Sequence, residues 1–437
     1  MNRLFYLATN KTNSSCIKKI EKGEIQIMSK IKVLIAVIAL LFFVTACAAE
    51  DDGITDITFL NYSSNGGQEA TLEAMVDAFE VANPDVNVTV ETLGYTDYFT
   101  QLAIRVAGGQ APDVFELNIE NFRAYADKGA IAEIDTTTID ISEINATTLT
   151  AFQIDGDQYG LPTKFSNVVL IYNKDLFDQA EVDYPTNTWT WADELAAAQA
   201  IRALGDDIYG VYRPIQTWEF YKTVAQNGGS MMNADQSAFT LNSTQNVEAL
   251  TMMIDRVNGT NVTPTVDQLG GMGDWDLFLS GRLGMIVTGI WAFGTFAEQA
   301  DFAWDIAVEP GITQKATHFF SDAVVVSENS DEKEAATRFA AFLSGSEEAA
   351  LLRANANWDL PVALTDAVVT AYKAVTPPAN KDAVFESLNY LVMPPSLERF
   401  GEVADDLQLY LSRAINGELT AQQALDQAQA FIEDKYN

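Results

Sequence analysis

The chain has 437 residues, 48% of them hydrophobic, which suits two domains of ordinary size with a sizeable core and argues against long-range disorder. Lys and Arg total 26 against 61 Asp and Glu; the single histidine, His318, and the two cysteines exclude a His-rich metal site and a disulfide framework. So acidic a surface repels phosphate backbones and anionic headgroups, so no nucleic-acid partner is expected, and no cofactor is expected either.

The chain begins with a leader pattern. Met28-Ser29-Lys30-Ile31-Lys32 is positive, and Val33 to Val44 is a nearly unbroken apolar run of twelve residues. That run is too short for a comfortable membrane span and suits a signal-peptide core. Val44-Thr45-Ala46-Cys47 closes it and resembles the bacterial lipobox, in which the cysteine is lipidated and becomes the first mature residue. Residues 1–27 add a second positive segment, so the natural chain is expected to start at Met28. Residues 1–46 then form the leader and residues 47–55 a lipid-anchored tether. Removing the leader leaves 19 basic and 59 acidic residues, a net charge of −40.

Ile57 to Asn61 reads as a strand, and Gly66-Gly67 breaks the chain. Leu72, Met75, Val76 and Phe79 fall at helical spacing, and Asn83-Pro84 ends that helix. Val86, Val88 and Val90 alternate as a strand; a helix over Tyr98 to Val106 stops at Gly108-Gly109; Pro112 to Leu117 is the next strand. This order predicts an α/β fold with a parallel sheet covered on both sides. Asp155-Gly156-Asp157 signals a hairpin, Val168 to Tyr172 a buried strand, and Thr190-x-x-Asp193 a capping box for a helix from Trp191 to Gly205. The C-terminal third reads as helical, with Thr420-x-x-Gln423 starting its last helix.

Four stretches in this order resemble the family 1 extracellular solute-binding proteins of ABC importers. They are Ile57 to Gly66 with Ala78-Phe79-Glu-x-Ala-Asn-Pro84; Ala107-Gly-Gly-x-Ala-Pro-Asp-Val114; Tyr159-Gly-Leu-Pro162 with Leu170 to Phe177; and Gly281-Arg-Leu-Gly-Met-Ile-Val287 with Gly289-Ile-Trp-Ala292. Glu334 to Leu343 also fits. The resemblance implies a two-lobed periplasmic-binding-protein-like fold with a hinge and a ligand cleft between the lobes. It implies crossings near Lys164, Phe302 and Gly345, hence lobe 1 as 56–163 plus 302–345 and lobe 2 as 164–301 plus 346–437. It further implies a monomeric, non-enzymatic receptor that delivers a small solute, a mono- or oligosaccharide, to importer membrane subunits, and that touches the membrane only through its lipid anchor.

A sugar site needs aromatic plates for ring faces and carboxylates or amides for hydroxyls. All seven tryptophans lie after residue 188. Trp291 ranks first, because in this family its segment often presents an aromatic to the cleft. Trp218, in a polar stretch with Arg213, Gln216 and Glu219, and Trp275, between Asp274 and Asp276, follow. Trp191 and Trp304 read as packing. On the first lobe Tyr62, Ser63 and Ser64 leave a strand at its C-terminal end, where open α/β sheets bind ligands. Asp113, Glu116 and Asn118 lie at or beyond the end of another strand. Lys164 and Phe165 sit at the implied crossing, and Asp322 stands where many relatives carry a Gly-rich stretch.

The alternatives are a binder of polyamines or another non-sugar solute, a secreted glycoside hydrolase working with two carboxylates, and a structural lipoprotein. Among 61 acids, paired carboxylates arise by chance, and no G-x-S-x-G, H-E-x-x-H or G-x-x-x-x-G-K motif is present.

Overall fold

A computed structural model describes residues 53–436 apart from Asn145, Ser396 and Glu398; the leader, Cys47 and most of the tether lie outside the described residues. The first elements follow the hydrophobic pattern. Strand β1 (Thr55–Asn61) leads into helix α1 (Glu69–Ala82), which buries Leu72, Met75, Val76 and Phe79. Then come β2 (Val86–Thr92), α2 (Tyr95–Ala107), β3 (Val114–Asn118) and α3 (Ile119–Asp127). The Asn118 side chain caps α3 by accepting the Asn121 N–H at 3.2 Å. β1 pairs in parallel with both β2 and β3, as right-handed strand–helix–strand units require.

Gln153–Ile154 and Asp157–Gln158 form the expected hairpin around Gly156. Strands β4 (Leu161–Ser166) and β5 (Val168–Asn173) follow, separated only by Asn167. Helix α4 (Trp191–Arg202) starts at a capping box, with Thr190 and Asp193 bonding reciprocally. Next are β6 (Tyr209–Tyr212), α5 (Thr217–Gln226), β7 (Leu283–Gly289), β8 (Trp304–Ala307) and β9 (Phe320–Val326). Helices α6 (Lys333–Gly345) and α7 (Glu347–Asn355) precede β10 (Leu360–Pro361). The long helices α8 (Phe400–Ile415) and α9 (Ala421–Tyr436) close the chain.

Two sheets result: β10-β4-β9-β3-β1-β2 and β8-β5-β7-β6. Helices cover both faces of each, so β4 and β5 are buried at every residue. Ile57, Phe59 and Val324 pack on one side of the first sheet, and Leu60, Phe115 and Val325 on the other. The chain passes between the sheets at Asn167, whose side-chain amide donates to the Val384 carbonyl at 2.8 Å.

Strand pairing assigns two later segments to their sheets. Trp304–Ala307 pairs antiparallel with Asn173–Leu170 in the second sheet. Leu360–Pro361 pairs with Phe165–Lys164 in the first sheet. Hydrogen bonding to a neighbouring strand decides membership here, and composition carries no trace of it.

Beside the second sheet lies a buried cluster of six charges. Arg213 bonds Glu194 at 2.6 Å, Glu309 at 2.5 Å and Glu219 at 3.2 Å, and Lys222 bonds Glu219 at 2.8 Å and Glu309 at 2.6 Å. Arg256 also pairs with Glu194, and the Trp191 ring lies beneath both guanidiniums, 4.8 and 4.2 Å from them. Three cations match three carboxylates, which is the condition for burying them at all. Burial alone would raise Glu194, but Arg213 and Arg256 outweigh it and hold the carboxyl at about 2. Its stabilisation is therefore complete above the ordinary carboxyl value of 4.5 and is lost as pH falls from there through about 2. Arg213→Met, which leaves three carboxylates to Arg256 and Lys222 and so one buried charge unmatched, is expected to cost about 3–5 kcal/mol in urea unfolding at neutral pH. A loss under about 1 kcal/mol would show that the cluster does not need its central cation.

Candidate ligand cleft

A cavity of about 610 Å³ opens between the two sheets, at the C-terminal ends of β1 and β3. On the side of the first sheet its wall holds Tyr62, Ser63, Tyr95, Asn118, Glu120, Lys164, Asp322, Trp358 and Asp359. On the side of the second it holds Gln216, Trp218, Glu219, Asp274, Trp275, Thr288 and Trp291, with His318 and Phe320 from the returning segment. Four of the seven tryptophans are here, with five carboxylates and one lysine.

The first-sheet wall is organised around Lys164. Asp322 is its direct cross-strand partner, and Asp359 immediately precedes the strand on its other side. The ammonium lies 2.8 Å from Asp322, 3.1 Å from Asp359 and 3.9 Å from Glu116. Burial alone would lower its pKa, but the three carboxylates outweigh burial and hold it above the usual lysine value. Burial raises Glu116, with Lys164 opposing and Asp322 adding. The other Asp322 oxygen accepts the Tyr62 hydroxyl at 2.7 Å, and Tyr62 packs edge-on against Tyr95 and Tyr98 at 5.2 and 4.8 Å. Trp358 is wedged between residues with positive φ, Asn357 at 56° and Asp359 at 52°, and Arg353 covers its ring at 4.0 Å.

The opposite wall is a run of rings. The His318 ring nitrogen Nε2 lies 2.7 Å from the Trp218 carbonyl. A carbonyl only accepts, so Nε2 carries the hydrogen and Nδ1 is a bare acceptor. Burial, helped by Lys222, pushes the imidazole pKa well down, so the ring is neutral. It stacks on Phe320 at 4.8 Å, and Phe320 meets Trp291 edge-on at 5.5 Å. Trp275 donates from Nε1 to Thr288 at 3.3 Å. Trp291 is 38% exposed, and its indole folds back over Gly289.

Eight expected residues come together in this wall: Tyr62, Ser63, Asn118, Lys164, Trp218, Trp275, Trp291 and Asp322. Four do not line it. Asp113 precedes β3, at the far end from the cavity, and binds Thr58 at 2.7 Å and Ser330 at 2.6 Å. Phe165 alternates away from Lys164 into the core. Ser64 turns inward to the Asn61 side chain at 2.7 Å. Glu116 is buried beneath the wall, where it accepts the Tyr62 and Ser63 N–H groups at 3.1 and 3.0 Å and so shapes the loop above it. Missed were Tyr95, Glu120, His318, Phe320, Trp358 and Asp359. Glu120 had a readable signal, lying two residues past a strand's C-terminal end. Trp358 and Asp359 had none, because α7 and β10 reach the site only by strand pairing. Among the described residues no group of His, Cys, Asp and Glu is arranged to hold a metal ion, and no helix is long and apolar enough to cross a membrane.

The profile of the bacterial extracellular solute-binding proteins matches residues 63–350. The chain belongs to this family. It is similar to an ABC substrate-binding protein from Listeria monocytogenes solved in complex with cycloalternan, at 44% identity and a TM-score of 0.83, covering 87% of this chain and 99% of that one. It is similar to the cyclic α-maltosyl-1,6-maltose binding protein of Arthrobacter globiformis, at 25% identity and a TM-score of 0.72, covering 87% and 98%. The arabinooligosaccharide-binding protein of Bacillus subtilis is 26% identical over 332 residues, 72% of this chain and 76% of that protein. The solute-binding protein thus has the two-lobed α/β fold of these receptors, and its family places it outside the cytoplasm.

A Cβ on Gly289 would lie 1.9–2.2 Å from three ring atoms of Trp291. Gly289→Ala is expected to push the indole off Phe320, red-shift the tryptophan emission and cost about 1–3 kcal/mol. An unchanged emission spectrum would show that the ring does not rest on this glycine.

Proposed function

We propose that this solute-binding protein captures an oligosaccharide in the cleft and delivers it, by closing its lobes, to the membrane subunits of an ABC importer. The observation that carries this reading is the cavity itself. The accessible indoles of Trp218, Trp275 and Trp291, with the rings of Tyr95 and Phe320, surround hydroxyl-binding groups on both walls, which is the chemistry of a sugar with apolar faces and polar rims. At about 610 Å³ the space is in the range of roughly 300–1,000 Å³ that takes a ligand of several rings. Both solved neighbours described above carry cyclic saccharides in their names, so a cyclic glucan is the preferred ligand.

Trp218, Trp275 and Trp291 would stack on ring faces, and Tyr62, Ser63, Asn118, Lys164 and Asp322 would hold hydroxyls. The lobes divide by sheet, the first around β1 and the second around β5, with the hinge at Asn167 and the returning segment Val308–Phe319. A ligand touching both walls is what shifts the open–closed balance. Cys47 carries the lipid anchor, and the receptor acts as a monomer without catalytic turnover.

Thermal-shift measurements with cycloalternan, cyclic α-maltosyl-1,6-maltose, maltotriose and spermidine test the reading. A true ligand at ~100 times its Kd adds about 2.7 kcal/mol. A shift with spermidine and none with any saccharide would overturn it, as would release of reducing sugar during incubation. Trp291→Ala is expected to weaken saccharide binding at least about tenfold while leaving the ligand-free midpoint in place. Cys47→Ala is expected to move the protein from the membrane fraction to the medium or periplasm.

A further inference from the structure

The hydroxyl-holding residues named above all stand on the first-sheet side of the cavity. The opposite wall carries a carboxylate that the reading leaves without a task. Among the cavity's acids, Asp322 and Asp359 are held by Lys164, and Glu219 by Arg213 and Lys222. One Glu120 oxygen, Oε1, is shielded from water. Asp274 is partly exposed on the wall and has no ion pair and no side-chain hydrogen bond among the described residues. Its carboxyl meets only the N–H groups of its own turn, those of Asp274 and Trp275.

Asp274 and Trp275 open a short helix, Asp274–Leu279, and both line the cavity. The indole is fixed in place. Its Nε1 donates to Thr288 on β7 at 3.3 Å, and its ring meets Phe296 edge-on at 5.4 Å. Tyr212, at the end of β6, feels the Asp274 charge: burial and that charge push its hydroxyl up to about 12, so it is neutral. Asp276 is exposed, lies off the wall and accepts the Gly273 N–H at 3.3 Å. We propose that Asp274 is a ligand-contact residue of the second lobe, whose carboxylate accepts two adjacent hydroxyls of a sugar ring seated beside the Trp275 indole. This rests on the saccharide reading of the cleft and deepens it.

Burial disfavours the Asp274 charge, the two N–H groups favour it, and Asp276 adds a like charge. The fold gains no side-chain contact in return. A ligand supplies one: a carboxylate only accepts, and its two oxygens match the paired donors of a sugar diol. Rings joined as in cyclic α-maltosyl-1,6-maltose keep adjacent hydroxyls free for it. The contact gives each lobe a polar hold on the ligand, which is what a closing cleft needs. It also disfavours a ligand without hydroxyls at this place, because the acceptor would then lose water and gain nothing.

The test is calorimetric affinity for cycloalternan, cyclic α-maltosyl-1,6-maltose and maltotriose in the parent, Asp274→Asn, Asp274→Ala and Asp276→Asn, with the ligand-free melting midpoint of each. Asp274→Asn keeps the shape and loses one accepting oxygen and the charge. It is expected to weaken binding of the saccharides that the parent takes by about tenfold or more, and Asp274→Ala by at least as much. The ligand-free midpoints of both are expected to hold or rise, because burial disfavours a charge that no side chain answers. Asp276→Asn removes a like charge from the same turn, off the wall, and is expected to bind within about twofold of the parent. Asp274→Asn binding within about threefold of the parent, an equal loss in Asp276→Asn, or a clear fall in the Asp274→Asn midpoint overturns the proposal. A parent that binds spermidine, or nothing, and none of the three saccharides overturns instead the reading of the cleft on which it rests.

Discussion

The cleft depends on one buried ammonium. Lys164 sits near the end of β4, three residues before the chain leaves the first sheet at Asn167, and carboxylates from three neighbouring segments converge on it. An unpaired lysine here would cost several kcal/mol, and so would each carboxylate left alone. Together they fix the edge of the first lobe where the ligand must rest. Asp322 passes the constraint to Tyr62, Glu116 passes it to the backbone of the Tyr62–Ser63 loop, and Asp359 passes it to the turn that carries Trp358. Replacing Lys164 therefore disturbs all three of these constraints at once.

The second lobe solves the same problem with a balanced cluster instead of a single cation. Arg213, Lys222 and Arg256 neutralise Glu194, Glu219 and Glu309, and α5, which bears Trp218, is held by two of these residues. The rings then continue from His318 and Phe320, on the segment that returns to the first sheet, to Trp291 at the end of β7. A segment that both joins the lobes and carries the aromatic wall feels any rotation of one lobe on the other. That gives closure a direct effect on the surface that meets the sugar.

Much of the fold was legible because hydrophobic spacing is a local property. Leu72, Met75, Val76 and Phe79 announced α1, the Thr190–Asp193 box announced α4, and the strands to either side of them alternate or run apolar. The cleft was partly legible for a related reason: residues just past the C-terminal ends of strands, such as Tyr62, Ser63 and Asn118, line such sites in open α/β sheets. Asp113 lies off the wall because it precedes β3, five positions before Asn118 at the strand's C-terminal end, a distinction that the sequence does not mark. Phe165 failed because its neighbour Lys164 takes the wall position and strand alternation sends the two to opposite faces.

By itself, the sequence determined the class of the chain, its elements, the acidic surface and the short list of aromatic and polar residues suited to a sugar. These follow from composition and from periodicities of two and 3.6 residues, which act over neighbouring positions. Only the tertiary structure decided which sheet owns Trp304 and Leu360, which tryptophans leave the core, and that Asp359 and Glu120 stand at the wall. Lys164 and Asp359 are 195 positions apart and meet at 3.1 Å. Contacts of that kind depend on strand register and on charges that require partners when buried, and neither is written in any local stretch of the chain.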